Sequence, residues 1–153
     1  MNTRFTKPQI RLLCAILGAA YLTTSCMTSP TPVKEASTSN LLDTKWRLTQ
    51  LGEEIVDNPA GERAIHFLLQ PLNTNVVGFS GCNRMFGQYV LDGASLRFGD
   101  LGGTRMFCES RMDLEQKFLV MFGEVAGWRI SRATLQLLDA SSKAVATFEA
   151  SIP

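Results

Sequence analysis

The stretch Val77–Cys108 reads VGFSGCNRMFGQYVLDGASLRFGDLGGTRMFC, and it decides the fold of this chain. Within it, Gly87–Leu91 and Ser95–Phe98 flank an Asp-Gly dipeptide at 92–93, which is a strong hairpin signal. Thr104–Cys108 alternates in the way of a strand, so that alternate side chains fall on opposite faces. The stretch therefore predicts antiparallel pairing between strands that follow one another along the chain.

Short apolar or alternating segments on both sides of this stretch extend the predicted sheet. They lie at Lys45–Leu51, Ala64–Leu69, Asn75–Ser80, Trp128–Ser131, Thr134–Leu138 and Ala144–Ala150. Most are of ordinary strand length, and turn-forming residues separate them. We therefore expect most of the folded part to be β-structure.

One helix is predicted before the last three strands. Ser110 and Asp113 are spaced like a variant capping box, and Gly127 is a plausible stop. Asp113 and Lys117 form an acid-before-base pair on its wet side. An apolar stripe marks the other side, at Leu114, Phe118, Met121, Phe122 and Val125. We predict an α+β single domain, a curved, partly closed and barrel-like antiparallel β-sheet packed against one main α-helix.

The first 25 residues are typical of a secretory signal peptide. Three cations precede the apolar run Leu12–Leu22, which is shorter than the ~20 residues that span a bilayer. The following residues resemble the lipobox of bacterial lipoproteins, with Ser25 before Cys26, although Thr23 stands where a lipobox usually has Leu. We expect residues 1–25 to be removed and Cys26 to carry a lipid. An uncut anchor, or ordinary cleavage that leaves Cys26 as a thiol, are the alternatives.

Residues 26–40 are predicted to be the lipid-anchored Cys and a flexible tether, and residues 41–153 the folded domain. Three of the 15 Lys and Arg lie in the leader, so the rest of the chain has 12 basic and 14 acidic side chains, a formal net charge of −2. This balance indicates no footprint for nucleic acid and no polybasic patch for an anionic membrane surface.

The cysteines support a lipid anchor. Cys14 leaves with the leader, and acylation of Cys26 accounts for the odd cysteine that remains. Cys82 and Cys108 could then form a disulfide in an oxidising periplasm. Two buried free thiols or half a metal site are the alternatives, but zinc needs more ligands, and the only histidine, His66, is expected to be a core or edge residue. We therefore assign no metal.

The Gly-Cys-Asn turn, a Gly four residues after the Asn, an aromatic soon after it, and the Thr-x-Met-x-Cys segment resemble the META domain family, which includes the HslJ-like envelope lipoproteins. The resemblance covers about residues 41–150. It implies a bent antiparallel sheet, a place in the cell envelope and an association with stress tolerance. The matching residues are Gly81, Cys82, Asn83, Gly87, Thr104, Met106 and Cys108.

The residues themselves suggest structural roles for this motif. Asn83 suits a tight turn with positive φ, and Gly81 and Gly87 suit bends or bulges around it. A lone histidine argues against most His-based catalytic triads, and the lack of a Cys-x-x-Cys motif argues against thioredoxin-like exchange. The adjacent acids Glu53 and Glu54 are expected on a solvated loop. We therefore assign no catalytic residue and no cofactor.

The sequence leaves two functional hypotheses. The first is a non-catalytic cell-envelope lipoprotein that contacts an unknown envelope protein. The second is a lipocalin-like carrier of a small apolar ligand, with Phe and Met side chains lining a cavity. In both, the chain meets the membrane through its lipid anchor and faces the periplasm, and the oligomeric state stays open. Met27 rather than Asp follows Cys26, which favours the outer membrane over the inner one.

Overall fold

A computed structural model of the chain describes residues 40–61 and 63–151. Cys26 and the signal segment lie outside these residues, and so does most of the tether. In chain order the elements are β1 Lys45–Leu51, β2 Glu54–Ile55, β3 His66–Gln70, β4 Asn75–Phe79, β5 Arg84–Asp92, β6 Ser95–Phe98, β7 Gly102–Gly103, α1 Met112–Glu124, β8 Gly127–Ser131, β9 Thr134–Leu138 and β10 Ala144–Ser151.

The described strands form one antiparallel sheet that returns on itself. Neighbours follow the order β1, β3, β4, β5, β6, β8, β9 and β10, and β10 pairs again with β1. The short strands β2 and β7 add to β1 and β5. Pairing between β6 and β8 is reduced to Ser95 opposite Gly127, and α1 contacts β6. The predicted α+β class, with a curved and partly closed sheet and one main helix, is confirmed.

The core on the concave side of this sheet is built from aromatic rings. Phe67 meets Phe148 and Phe122 edge to face, with ring centroids 4.9 Å and 5.7 Å apart. Phe122 also meets Phe98 at 4.6 Å and Phe118 at 5.1 Å. Each such pair contributes about 0.5–1.5 kcal/mol beyond the area it buries. The carrier hypothesis places Phe67, Phe118 and Phe122 in a cavity lining, but these three rings pack against one another or against neighbouring rings.

The predicted start and end of the helix are wrong. Arg111 occupies the N-cap without a side-chain cap bond, so Ser110 and Asp113 form no capping box. The helix ends at Glu124, because Val125 turns into extended backbone, and Gly127 begins β8 instead. Lys117 forms its ion pair with Glu54 on β2, at 3.3 Å, rather than with Asp113.

The predicted strand Thr104–Cys108 is also wrong. Only Gly102 and Gly103 pair with β5, opposite Phe86 and Met85. The five residues after them follow no ladder. The Thr104 N–H still donates to the Arg84 carbonyl of β5 at 3.1 Å. Beyond that bond, side-chain hydrogen bonds hold the segment, and they define the site described next.

Candidate functional site

The Gly81–Asn83 turn joins β4 to β5 and brings most of the family motif together. Gly81 has φ +108°, and a Cβ there would lie 3.2 Å from Ile65 Cδ1. The left-handed residue of the turn is therefore Gly81, and the prediction of positive φ for Asn83 is wrong. The backbone freedom of glycine at this position sets the direction in which Cys82 and Asn83 leave the sheet.

Cys82 is buried beside this turn and forms a disulfide with Cys108, with Cα atoms 5.8 Å apart. The predicted disulfide is therefore present, in place of free thiols or a metal site. The bridge closes a loop with a sequence separation of 26 residues. A loop of this size corresponds to about 3–4 kcal/mol in the chain-entropy description. The bridge ties the residues just before α1 to the turn between β4 and β5.

Asn83 fastens the segment Thr104–Cys108 with its side chain. The Met106 N–H donates to Asn83 Oδ1 at 2.7 Å, and Asn83 Nδ2 donates to the Met106 carbonyl at 3.1 Å. The Thr104 hydroxyl donates to Oδ1 as well, at 2.7 Å, and accepts from the Arg84 N–H at 3.2 Å. The amide thus replaces the strand neighbour that this segment lacks.

Glu115 completes the same cluster from the first turns of α1. The sequence places it in the Leu114-Glu115 plus Phe118 helix that resembles the family pattern, but predicts no role for it in the site. Its carboxylate accepts from the Asn83 backbone N–H at 3.2 Å and from Asn83 Nδ2 at 3.1 Å, and it contacts Ser80 Oγ. It is only 5% exposed. Its place three and seven residues before Phe118 and Phe122 puts it on the buried helix face, so the helical period could have revealed it.

Gly87 lies farther along β5, where another part of the chain approaches it closely. A Cβ at this position would lie 2.6 Å from Leu101 Cδ2 and 3.0 Å from the Asp100 carbonyl oxygen. Gly87 pairs in regular register with Val76, so it marks a close approach rather than the predicted bend or bulge. The missing side chain lets the residues before β7 pack onto β5.

Above the Asn83 cluster, the segment 101–107 and the start of α1 enclose a groove of about 650 Å³. Its apolar lining includes Phe86, Leu101, Met106, Phe107, Met112 and Leu119. Phe86 and Met106 are each 56% exposed, and Phe107 is 79% exposed. Arg84 and Arg105 also line the groove. A cluster of large exposed apolar side chains is typical of interaction sites.

His66 lies on β3, half-buried, at some remove from this cluster in the sheet. Its Nδ1 is 2.6 Å from the Ala64 carbonyl oxygen, so this ring nitrogen carries the proton and donates. Burial lowers the pKa of His66 below its ordinary value of 6.5, the hydrogen bond to Ala64 opposes this, and the charge of Lys45 lowers the pKa further.

The acidic pair of the sequence analysis is solvated. Glu53 lies 3.9 Å from Lys143 and Glu54 lies 3.3 Å from Lys117, and both carboxylates are exposed. Within residues 40–61 and 63–151, no group of three or more His, Cys, Asp or Glu side chains is placed to hold a metal ion. No helix of the described part combines the length and apolarity that crossing a bilayer requires.

These features define a small α+β domain organised around a disulfide-linked Gly-Cys-Asn turn. The META domain pattern matches residues 39–152. The chain belongs to the META domain family. The NMR structure of a protein from Burkholderia xenovorans is similar, with 30% identity, a TM-score of 0.58, and coverage of 88% of this chain and 100% of that one.

A second solved NMR structure shares the fold at 22% identity. Its TM-score is 0.54, over 70% of this chain and 88% of the other. Comparison with curated proteins gives no match.

Proposed function

We propose that this chain is a non-catalytic cell-envelope lipoprotein, anchored through Cys26, that binds another envelope protein through the groove between α1 and residues 101–107. The groove, with its exposed Phe86, Met106 and Phe107, is the observation that carries this proposal. Aromatic and Met side chains are enriched at protein interfaces, and Met adapts its shape to a partner. The family's association with stress tolerance suggests that the contact belongs to an envelope-stress response.

The hydrogen bonds of the motif support a structural role for it rather than a catalytic one. An Asn side chain has two donors and two main acceptor positions, and Asn83 uses all four on Thr104, Met106 and Glu115. In the described residues, no buried side-chain nitrogen or oxygen lacks a hydrogen-bond partner. The motif therefore has no spare polar group to offer a substrate, and its effect on the surface is to shape the groove.

Site-specific photocrosslinking in cells tests the partner. A photoreactive residue in place of Phe107 should capture one defined envelope protein. The matched control is Leu72, an apolar residue in the β3–β4 turn that is 98% exposed and does not line the groove. Phe86→Ser should reduce capture from position 107. Capture of the same set of proteins from both positions would contradict a groove-specific partner.

The anchor has its own test. Wild-type protein should fractionate with membranes and incorporate a labelled fatty acid, and Cys26→Ser should lose the label. Fully soluble, unlabelled mature wild type would refute the anchor while leaving the groove proposal intact. Separation of inner and outer membranes then tests the preference for the outer membrane.

A further inference from the structure

The outer face of the sheet has a second hollow with a volume of about 590 Å³, which shares Arg84, Met85 and Phe86 with the groove. Strand register aligns Arg47, His66, Phe79 and Arg84 across β1, β3, β4 and β5. We call this the cationic hollow. It is lined by Lys45, Arg63, His66, Val77, Gly78, Phe79, Arg84, Met85 and Phe86.

The lining of the cationic hollow has one sign of charge. Lys45, Arg63 and Arg84 come from three separate parts of the chain, and no Asp or Glu is among the described lining residues. The salt bridges of the described part engage Arg47, Lys117 and Lys143 instead. The mature chain has a net charge of −2, so this clustering opposes its overall balance. These cations are far apart along the chain, so the sequence itself shows no basic patch.

The mixture of groups in the hollow indicates the chemistry of a ligand. Guanidinium groups such as those of Arg63 and Arg84 match the oxygens of phosphate, and Lys45 adds a compact charge. Phe79 and Phe86 supply apolar surface beside these cations. We propose that the cationic hollow binds the phosphate group of a ligand that also has an apolar part. A lipid headgroup and a soluble phosphate ester share this chemistry.

His66 adds a group that responds to such a ligand. Its Nδ1–H is used on Ala64, so the other ring nitrogen becomes a second donor only when the ring is protonated. The charged groups around it are Lys45, Arg47, Arg63 and Arg84, with Glu149 bound to Arg47 at 2.7 Å. A phosphate group bound beside the ring favours its protonated form, so ligand binding should raise the lowered pKa of His66.

This inference goes beyond the proposed function and does not rest on it. The partner groove and the cationic hollow share Arg84, Met85 and Phe86, and all their other lining residues differ. Failure of crosslinking at Phe107 would leave the hollow untouched, and failure of phosphate binding would leave the groove untouched.

The first arm of the experiment uses inorganic pyrophosphate and the full chain with Cys26→Ser, so that no lipid contributes. His66 is the only histidine, so its ring resonances report the site without assignment of the whole spectrum. Pyrophosphate should shift these resonances saturably and raise the pKa of His66, because a bound anion favours the protonated ring.

Two matched double variants locate the binding. Lys45→Gln with Arg84→Gln should weaken pyrophosphate binding about 10-fold or more, the loss expected for at least one charge-assisted hydrogen bond. Arg129→Gln with Lys143→Gln removes the same charge from exposed positions outside the hollow and should leave binding unchanged. Equal losses in both variants would mean attraction by overall charge, and would overturn the proposal.

The second arm uses vesicles of phosphatidylcholine with and without phosphatidylglycerol. Sedimentation with phosphatidylglycerol that depends on Lys45 and Arg84 supports the site and identifies a lipid headgroup as its phosphate source. A response to pyrophosphate without one to the vesicles supports the site with a soluble phosphate ester. A response to neither probe overturns the proposal.

Discussion

Two buried asparagines, Asn58 and Asn83, occupy places where a strand ladder is interrupted, and they serve different ends. Asn58 lies between β1 and β3, where its Nδ2 donates to the carbonyls of Leu48 and Ile65, each at 2.9 Å. Its Oδ1 accepts from the Ile65 N–H at 2.8 Å. All these partners are backbone groups of the sheet region, so the Asn58 side chain joins β1 to the residue before β3, and the Asn58 carbonyl accepts from Arg47 Nη1 at 2.6 Å.

Asn83 reaches beyond the sheet. It bonds the backbone of Met106 in an irregular segment and the carboxylate of Glu115 on α1. Asn58 is surrounded by buried residues such as Val56, Ala64 and Ile65, whereas Met106 beside Asn83 is exposed in the groove. The same type of side chain therefore joins strands within the sheet at Asn58 and shapes the surface of the groove at Asn83.

The largest effect should come from Asn83→Ala. It removes one hydrogen bond from the buried Glu115 carboxylate, which keeps those from Ser80 Oγ and the residue 83 N–H, and it leaves the Thr104 hydroxyl and both backbone groups of Met106 without the amide. We expect a loss of about 3–5 kcal/mol in the free energy of unfolding. Urea denaturation measures this loss, and amide exchange at Met106 should accelerate. Asn73→Ala, in the exposed β3–β4 turn, is the control and should change little. A loss below about 1 kcal/mol would mean that the segment holds its place without the amide.

Removal of the disulfide should rank second. Cys82→Ala with Cys108→Ala frees the loop that the bridge closes, which corresponds to about 3–4 kcal/mol. The hydrogen bonds of Asn83 should keep the groove in place, so crosslinking from position 107 should survive under conditions where the variant is folded. Loss of crosslinking from folded protein would show that the bridge, and not Asn83, shapes the groove.

Asn58→Ala should come third, at about 2–3 kcal/mol, because it leaves the Leu48 carbonyl and the Ile65 N–H unpaired but no charge, while the Ile65 carbonyl keeps its bond from the Leu48 N–H. Photocrosslinking from position 107 should nevertheless capture the partner as in wild type once both proteins are folded. If Asn58→Ala changes groove binding as Asn83→Ala does, the assignment of groove shaping to Asn83 and not to Asn58 is wrong.

The smallest effect concerns His66, on the strand that follows the Asn58 corner. Its folded-state pKa is lowered below 6.5, so the unfolded chain binds the proton more readily. The stability that neutral His66 contributes to the folded state is complete above the unfolded-state pKa of 6.5 and is lost as the pH falls through the folded-state pKa. Urea midpoints at about pH 7.5 and about pH 5.5 should therefore differ less for His66→Gln than for wild type. An equal difference would assign the pH response to other groups.

Patterns within single segments made much of the fold predictable. The Asp-Gly hairpin signal placed β6 and a short strand-like segment placed β9, both with the observed bounds. The helical stripe identified Phe118, Met121 and Phe122 as core residues. The disulfide followed from the compartment and from the count of cysteines. These inferences succeeded because burial on one face of a strand or helix leaves a short-range period in the sequence.

The residues that were missed depend on contacts between distant segments. Glu115 is a carboxylate on an apolar face, and only the amide of Asn83, 32 positions earlier, explains its burial. Thr104–Cys108 alternates like a strand, yet its neighbour is a side chain rather than another strand. The cations of the hollow lie near one another because two strands, β1 and β5, and the loop before β3 place them around it. Such long-range pairings carry no local period.

The pairing of β1 with β10 has a consequence for how the domain comes together. Lys45 and Ser151 lie opposite each other, and the ion pair of the same ladder spans 102 positions. A ladder between the two ends of a domain closes a very long loop, so it forms late and slowly. During synthesis β1 can pair with β10 only after β10, the last strand of the domain, has been made. The same closeness of the ends suits circular permutation: a short linker from Ser151 to Lys45, with a new opening in the 92–95 hairpin, keeps the chain order of the remaining strands intact.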